Sequence, residues 1–129
     1  MRVLLDTHIW LWTLTDADSL PARLRARLGS RRDTFLISAV SAWEVAIKAS
    51  LGRLRLPLDV ATFLRAVARD LPAAELPVAH AHAARVAELP LHHRDPFDRM
   101  LIAQAQVEGL AIMTVDPAFQ AYGVSLITA

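Results

Sequence analysis

Four acidic residues occupy positions that an α/β fold would bring together. They are Asp6, Glu44, Asp98 and Asp116. Asp6 directly follows the apolar run RVLL, and Asp116 directly follows AIMTV. If both runs are parallel strands, the two acids leave the sheet at its carboxyl edge, where open α/β sheets bind their ligands. Each aspartate is also a favourable helix N-cap, so capping remains the alternative for each one taken singly.

Glu44 lies in the segment VSAWEVAIKASL, whose apolar side chains recur at helical spacing. At about 100° per residue, Glu44 falls within or beside the apolar arc of this helix. A buried charge without a partner is costly, so the carboxyl group must be protonated, paired or bound to a cation. Lys48, the only lysine of the chain, lies four residues later, and an exposed Glu44–Lys48 ion pair is the alternative.

The segment DPFDRMLIAQA, residues 95–105, places two aspartates at the start of an apolar helix. Asp95 precedes a proline and has the pattern of an N-cap. Asp98 borders the packed face of the same helix and therefore needs a partner. Arg99 points away from that face, which makes it a candidate for contact with a substrate or a partner.

Carboxylates that crowd together raise one another's pKa unless a cation neutralises them. Oxygen ligands in a chain without cysteine suit Mg²⁺ or Mn²⁺, which keep coordination positions free for water and a substrate phosphate. Ions held in this way generate hydroxide and stabilise the transition state of phosphate-ester hydrolysis. The four acids therefore predict a metal-dependent hydrolase of phosphate esters.

The elements that must position these acids alternate along the chain. Short apolar runs predict strands at 2–5, 34–38, 111–115 and 124–128, with 73–78 as a further possible strand. Helical patterns cover 7–14, 21–28, 39–51, 59–70, 79–88 and 96–108, the last ending at Gly109. This alternation predicts one domain over residues 1–129, an α/β/α sandwich with a central, mostly parallel sheet and a mostly helical middle.

Composition limits the classes of protein that this chain can represent. Its 14 basic and 13 acidic residues give a formal net charge of +1, which excludes the overall basic field of a dedicated nucleic-acid binder. The absence of cysteine excludes a disulfide framework and thiolate zinc sites. The hydrophobic fraction of 54% is high for a small chain and indicates a surface that meets a partner. Because no segment reads as a membrane span or a signal peptide, we expect a soluble cytoplasmic protein.

Three segments together resemble the PIN-domain ribonucleases, and among them the VapC-type toxins of toxin–antitoxin pairs. The segments are LLDTHIWLW at the start, ISAVSAWEVAIKASLGRLRLP in the first third and HHRDPFDRMLIAQAQVEGLAIMTVDPAF near the end. They follow one another in the family's order and at family-like separations over the whole length of the chain. The resemblance therefore implies a three-layer, PIN-like sandwich.

The same resemblance implies a Mg²⁺- or Mn²⁺-dependent endoribonuclease. Its catalytic and metal-binding acids would be Asp6, Glu44, Asp98 and Asp116. Thr7 and Thr114 would help to order the site, and the RNA products would carry a 5′-phosphate and a 3′-hydroxyl. A small antitoxin would bind an apolar groove and obstruct the site, and the apolar surplus is compatible with this partner and with a homodimer.

Several features keep a second interpretation when only the residues are considered. A Mg²⁺-dependent phosphatase and a non-catalytic binding module, whose acids act as caps and ion pairs, are the rival functions.

Five arginines form either a contact for RNA phosphates or a solvated helix face; they are Arg23, Arg25, Arg27, Arg31 and Arg32. The histidines at 80, 82, 92 and 93 lie in two separate segments and make a poor zinc set. Trp10 and Trp12 cannot share a helix face, so we expect one in the core and one partly exposed.

Overall fold

Five parallel strands form the single sheet at the centre of the molecule. The computed structural model describes residues 1–129 and orders the strands β3-β2-β1-β4-β5. The strands are β1 (Arg2–Leu5), β2 (Thr34–Ser38), β3 (Ala73–Leu76), β4 (Ala111–Met113) and β5 (Leu126–Ile127). All four neighbouring pairs run parallel, which confirms the predicted sheet type. The possible strand at 73–78 is present as the shorter β3, so the middle of the chain adds an edge strand as well as helices.

Six α-helices connect the strands, as the sequence predicts. They are α1 (Thr7–Thr15), α2 (Ala22–Gly29), α3 (Ala39–Ser50), α4 (Val60–Asp70), α5 (His80–Val86) and α6 (Pro96–Glu108). Short 3₁₀ helices at Ala17–Ser19 and Pro117–Tyr122 complete the elements. Side chains of Ser38 and Asp59 cap α3 and α4, and Gly109 ends α6 in a left-handed conformation. None of these helices has the length and apolarity needed to cross a membrane.

The sheet separates two apolar cores, and β1 contributes to both. Val3 and Leu5 pack on one face with residues of α1, α2 and α4, whereas Leu4 packs on the other face with residues of α6. All three side chains are fully buried. Because alternate residues of a strand point to opposite faces, this continuous apolar run is what a strand covered on both sides requires. The α/β/α sandwich is therefore confirmed.

The order of connections creates a crevice beside the central strand. The chain moves outward from β1 to β2 and β3, then returns to place β4 on the other side of β1. At such a reversal the connections leave β1 and β4 in opposite directions, so a gap opens between their carboxyl ends. Asp6 follows β1 at this gap, and the segment that leads to Asp116 follows β4.

Strands β4 and β5 are shorter than predicted. The backbone N–H of Thr114 still donates to the Ile127 carbonyl oxygen at 3.1 Å, but the regular ladder of β4 ends at Met113. Beyond this point the chain turns into the 3₁₀ helix that starts at Pro117. Apolar character extends past the ladder, and for this reason periodicity alone overestimated the lengths of both strands.

Candidate metal centre

Thr114 links the two acids that follow the central strands. Asp6, which is 2% exposed, accepts a hydrogen bond at Oδ2 from the Thr114 hydroxyl at 2.8 Å. The same hydroxyl oxygen accepts the backbone N–H of Asp116 at 3.0 Å. The Asp6 side chain makes no capping bond to α1, whereas Asp116 Oδ1 accepts the Ala118 N–H at 2.9 Å. The capping interpretation is therefore wrong for Asp6 and correct for Asp116, which caps and still lies at the crevice.

Glu44 lies on the inward side of α3 and is only 3% exposed. Its Oε2 forms an ion pair with Lys48, as the sequence predicts. The pair is not solvent-exposed as expected, because the Glu44 side chain is buried. Its Oε1 is buried and has no hydrogen-bond partner. A buried carboxylate oxygen without a donor is costly. This orphaned oxygen fits a position that a cation would fill.

Thr7 ties the start of α1 to the helix that carries Glu44. Its hydroxyl donates to Ser41 Oγ at 2.8 Å, and both side chains are buried. Ser41 lies on α3 one turn before Glu44. The contact therefore holds α3 against the segment that begins at Asp6.

The two aspartates at the start of α6 have different tasks. Asp95 Oδ1 accepts the backbone N–H groups of Phe97 at 2.8 Å and of Asp98 at 3.3 Å, so it is the N-cap that the sequence predicts. Asp98 makes no cap; its Oδ2 lies 2.8 Å from Nε2 of His93. The expectation that Asp98 needs a partner is confirmed, and the partner is His93.

The acids share one electrostatic environment. The pKa of Asp98 is raised to about 6, chiefly by burial, and the bond from His93 opposes this rise. The charges of Asp6, Asp95 and Glu44 also contribute to the raised value. Burial also raises the pKa of Asp6, with a smaller contribution from Glu44. Carboxyl groups held in this way favour a bound cation, because it compensates both their burial and their mutual repulsion.

Three side chains come close enough to bind one ion. His93, Asp98 and Asp116 each offer a ligand atom, and these atoms lie within 4.8 Å of one another. The donor set is mainly carboxylate oxygen, which Mg²⁺ and Mn²⁺ prefer. These three residues fit a divalent cation, whereas Asp6 and Glu44 lie outside this group of three. His93 is the member that sequence reasoning missed, although its place two residues before the Asp95 cap was a usable signal.

Arg99 makes structural contacts that its helical phase does not predict. Its guanidinium group is half-buried and donates to the backbone carbonyls of Val86, Leu89 and Pro90 at 2.9 to 3.3 Å. It also donates to the Tyr122 hydroxyl at 3.3 Å. These bonds secure the end of α5 and the loop that follows it. These bonds give Arg99 a structural role. Its side chain also borders a surface groove with Trp43 and Leu91, so the predicted contact with a substrate or partner stays a prediction.

Two other histidines, His82 and His92, have partners outside the acidic crevice. His82 is buried, accepts the Ala79 N–H at Nδ1 and contacts Glu108 Oε1 through Nε2 at 2.8 Å. His92 packs edge-on against Tyr122, with ring centroids 5.2 Å apart. These two histidines thus have separate partners in the fold.

The arginine-rich segment lies away from the acids. Arg27 pairs with Asp33 at 2.8 Å, and Asp33 immediately precedes β2. Thr34, the first residue of β2, donates its backbone N–H to Met1. This part of the segment is therefore at the amino edge of the sheet, opposite the crevice, which favours the interpretation as a solvated surface.

The two tryptophans of α1 separate as expected. Trp10 is 2% exposed and belongs to the core, whereas Trp12 is half-buried. Trp12 lines a groove that also contains Thr7 and Glu44. The partly exposed tryptophan therefore lies beside the acids.

Comparison with known proteins bears on the family and the fold of this chain. The profile of the PIN domain matches residues 3–124. The fold is similar to that of VapBC2 from Rickettsia felis bound to a promoter DNA fragment, with 15% identity, a TM-score of 0.74 and coverage of 99% of this chain and 98% of that chain. DNA-bound VapBC from Salmonella typhimurium is similar at 19% identity and a TM-score of 0.73, with the same coverage of both chains.

A third similar structure is VapBC-5 from Mycobacterium tuberculosis, a member of the VapBC family of toxin–antitoxin systems. It is 22% identical, has a TM-score of 0.61 and covers 99% of this chain and 98% of its own. No curated protein matches the sequence significantly. At these identities the solved structures show a shared fold, and the profile match over nearly the whole length shows the family. The chain belongs to the PIN domain family.

Proposed function

We propose that this protein is a Mg²⁺- or Mn²⁺-dependent endoribonuclease that acts as the toxin of a toxin–antitoxin pair. The observation that carries the proposal is the acidic crevice at the reversal of the sheet, with the buried, unpartnered Oε1 of Glu44. The family assignment and the likeness to VapBC proteins support it. One domain, residues 1–129, carries the whole site.

Four carboxylates of this chain hold the metal in the proposed reaction. They are Asp6, Glu44, Asp98 and Asp116. A divalent ion bound by such oxygens lowers the pKa of water and stabilises the charge that develops on a phosphodiester during hydrolysis. The chain keeps its acids in place through the Thr114 hydroxyl, which contacts the segments that follow both β1 and β4. Thr7 acts through Ser41 to hold α3, and therefore Glu44, in position.

A groove beside the acids is suited to single-stranded RNA. Its volume is about 330 Å³, and Thr7 and Glu44 form part of its wall. Trp12 and His8 lie next to each other in this wall, with ring centroids 6.1 Å apart, and Arg53 adds positive charge. Aromatic rings stack on bases of any sequence, and cations contact the phosphates that connect them. This surface supports RNA as the substrate of the neighbouring acids.

Exposed apolar side chains support protein partners. Trp43 is 61% exposed and Leu91 is 71% exposed, and both border a groove of about 480 Å³ near the start of α6. Large exposed apolar side chains at one groove are typical of protein-binding surfaces. We propose a cognate antitoxin and a homodimer as the assemblies, with the activity in the cytoplasm. The mass of the isolated chain by light scattering tests the homodimer: a monomeric mass at micromolar concentration contradicts it.

The test of the activity is cleavage of a mixed RNA pool by the purified chain. Mg²⁺ and Mn²⁺ should each give discrete fragments with 5′-phosphate and 3′-hydroxyl ends, and EDTA should abolish them. A parallel assay with a small phosphate monoester distinguishes a phosphatase. If the protein binds no Mn²⁺ in calorimetry and leaves RNA intact, the acids are structural and the proposal is wrong.

Replacement of Thr114 by valine tests its role as a positioning residue. Valine preserves the shape but removes the hydroxyl that joins Asp6 to the Asp116 backbone. We expect the affinity for Mn²⁺ to fall roughly 10- to 100-fold, as is typical when a residue that orients metal ligands is lost. The loss of buried hydrogen bonds should destabilise the fold by about 1–3 kcal/mol.

Calorimetric titration with Mn²⁺ measures the first effect, and urea unfolding in EDTA measures the second. Thr114→Ser, which keeps the hydroxyl, is the matched control and should bind Mn²⁺ nearly as the parent chain does. Equal Mn²⁺ affinity in Thr114→Val and the parent contradicts the positioning role.

A further inference from the structure

We propose that His93 is a direct ligand of the ion bound by Asp98 and Asp116, and that this nitrogen makes the site prefer Mn²⁺ to Mg²⁺. The inference rests on the proposed metal-dependent function and concerns the donor set of that same site. Its experiment reports on bound metal rather than on RNA cleavage, so the two proposals can fail separately.

The spacing of the donor atoms suits a shared ion. Nε2 of His93 lies 2.8 Å from Oδ2 of Asp98, and no pair of donors in the triad with Asp116 is more than 4.8 Å apart. Ligands about 2.1 Å from an octahedral ion lie roughly 3 Å apart when adjacent and roughly 4.2 Å apart when opposite. The His93–Asp98 distance already matches an adjacent pair. The widest separation has to close by at most roughly 0.6 Å.

The loop between α5 and α6 presents His93 to the acids. Arg99 anchors the loop by donating to the Pro90 carbonyl at 2.9 Å, three residues before His93. The adjacent His92 packs against Tyr122 instead. The His93 side chain remains 26% exposed, so an ion can reach it from solvent. The two consecutive histidines thus have different surroundings, and only His93 faces the carboxylates.

An imidazole ligand changes which ion the site prefers. Mg²⁺ favours oxygen ligands and retains its waters, whereas Mn²⁺, which also suits carboxylates, belongs to the first-row transition metals that bind nitrogen ligands. The neutral ring binds a metal through Nε2 when its proton is on Nδ1. The proton that Nε2 donates to Asp98 in the metal-free site therefore moves to Nδ1 or leaves to solvent, and the ion takes the place of this hydrogen bond. A site with this nitrogen therefore gains more affinity for Mn²⁺ than for Mg²⁺.

The experiment compares metal binding by the full chain with that of two variants, His93→Gln and His92→Gln. Glutamine at 93 can still donate a hydrogen bond to Asp98 but supplies no imidazole nitrogen. Calorimetry with Mn²⁺ and with Mg²⁺ gives the preference for each protein. Pulsed electron paramagnetic resonance of the Mn²⁺-loaded proteins detects nitrogen bound directly to the ion.

We expect His93→Gln to bind Mn²⁺ at least 10-fold more weakly, to change its Mg²⁺ affinity less than 3-fold and to lose the nitrogen signal. His92→Gln should keep the parent values. If the parent binds Mn²⁺ without a nitrogen signal, His93 only orients Asp98 through a hydrogen bond and the inference is wrong, while the proposed function stands. If the parent binds neither ion, both proposals are wrong.

Discussion

The Asp98→Asn variant should lose metal-dependent RNA cleavage by at least about 100-fold while keeping the fold. Asparagine is nearly the same size and can still accept a hydrogen bond from His93. It lacks the negative charge that the metal requires, and losses of about 10²–10³ in rate are typical when one electrostatic contribution to a transition state is removed. Fragment yields from the RNA pool in Mn²⁺, together with circular dichroism, measure both parts of this prediction.

Asp95→Asn is the matched control because it changes the same charge three residues away. The Asp95 side chain caps α6 through Phe97 and Asp98, and asparagine is an equally good N-cap. This variant should cleave RNA within a few-fold of the parent rate. Equal cleavage by Asp98→Asn and the parent would mean that the assigned site is wrong, and equal loss in both variants would mean that Asp95 also belongs to it.

The metal-free protein should become less stable as the pH rises from 5 to 7. The pKa of Asp98 is raised from its ordinary value of 3.8 to about 6, chiefly by burial, so the folded state holds this proton more tightly than the unfolded state does. The resulting stabilisation is complete below about pH 3.8 and disappears as the pH rises through about 6. Asp6, whose pKa burial also raises, acts in the same direction.

Between pH 5 and pH 7 the contribution of Asp98 to the free energy of unfolding should fall by about 1 kcal/mol. Urea unfolding in EDTA at the two pH values measures it. The same change in the free energy of unfolding between pH 5 and pH 7 is then measured for Asp98→Asn and subtracted from that of the parent chain. The remainder reports on Asp98 and its partner His93, because the other histidines contribute equally to both proteins. An unchanged pH dependence in Asp98→Asn contradicts the assigned environment.

Bound metal should reverse the dependence of stability on pH. Mn²⁺ at 100 times its dissociation constant stabilises a protein by about 2.7 kcal/mol, and the gain shrinks at pH 5 because protonated carboxyl groups bind metal poorly. The parent chain should therefore be more stable at pH 7 than at pH 5 in Mn²⁺, the opposite of its behaviour in EDTA. In Asp98→Asn the effect of Mn²⁺ should be small at both pH values. A binding module whose acids only cap and pair would show no response to Mn²⁺.

Much of the fold was predictable because its signals are local. Continuous apolar runs predicted the strands, because a strand that is buried on both faces needs apolar residues at successive positions. Apolar residues at helical spacing predicted the six helices, because a helix buries only one side. The cap at Asp95 was also readable, because its partners Phe97 and Asp98 are two and three residues away. Strand ends were less predictable, since apolar character continues past the last ladder hydrogen bond of β4.

The candidate site was predictable in its residue types and only partly in its contacts. Periodicity placed Glu44 and Asp98 on inward faces, and both are buried. Oε1 of Glu44 has no hydrogen-bond partner because of the side chains that surround it in the folded chain, and the periodicity of α3 does not describe these neighbours. The bonds of Arg99 were not predictable from its helical phase, because they depend on the carbonyl groups of Val86 and Leu89, which lie within its reach only in the folded chain.

A parallel α/β sandwich follows from the amino-acid sequence alone, as does the prediction of four acids near its carboxyl edge, because hydrophobic period and residue type are properties of neighbouring positions. Three contacts became visible only in the folded chain: Thr114 joins Asp6 to Asp116, His93 and not His92 meets Asp98, and Arg27 pairs with Asp33 at the opposite edge of the sheet. These contacts depend on the direction of loops and side chains. That direction is set by packing between segments far apart in the chain, and no local pattern records it.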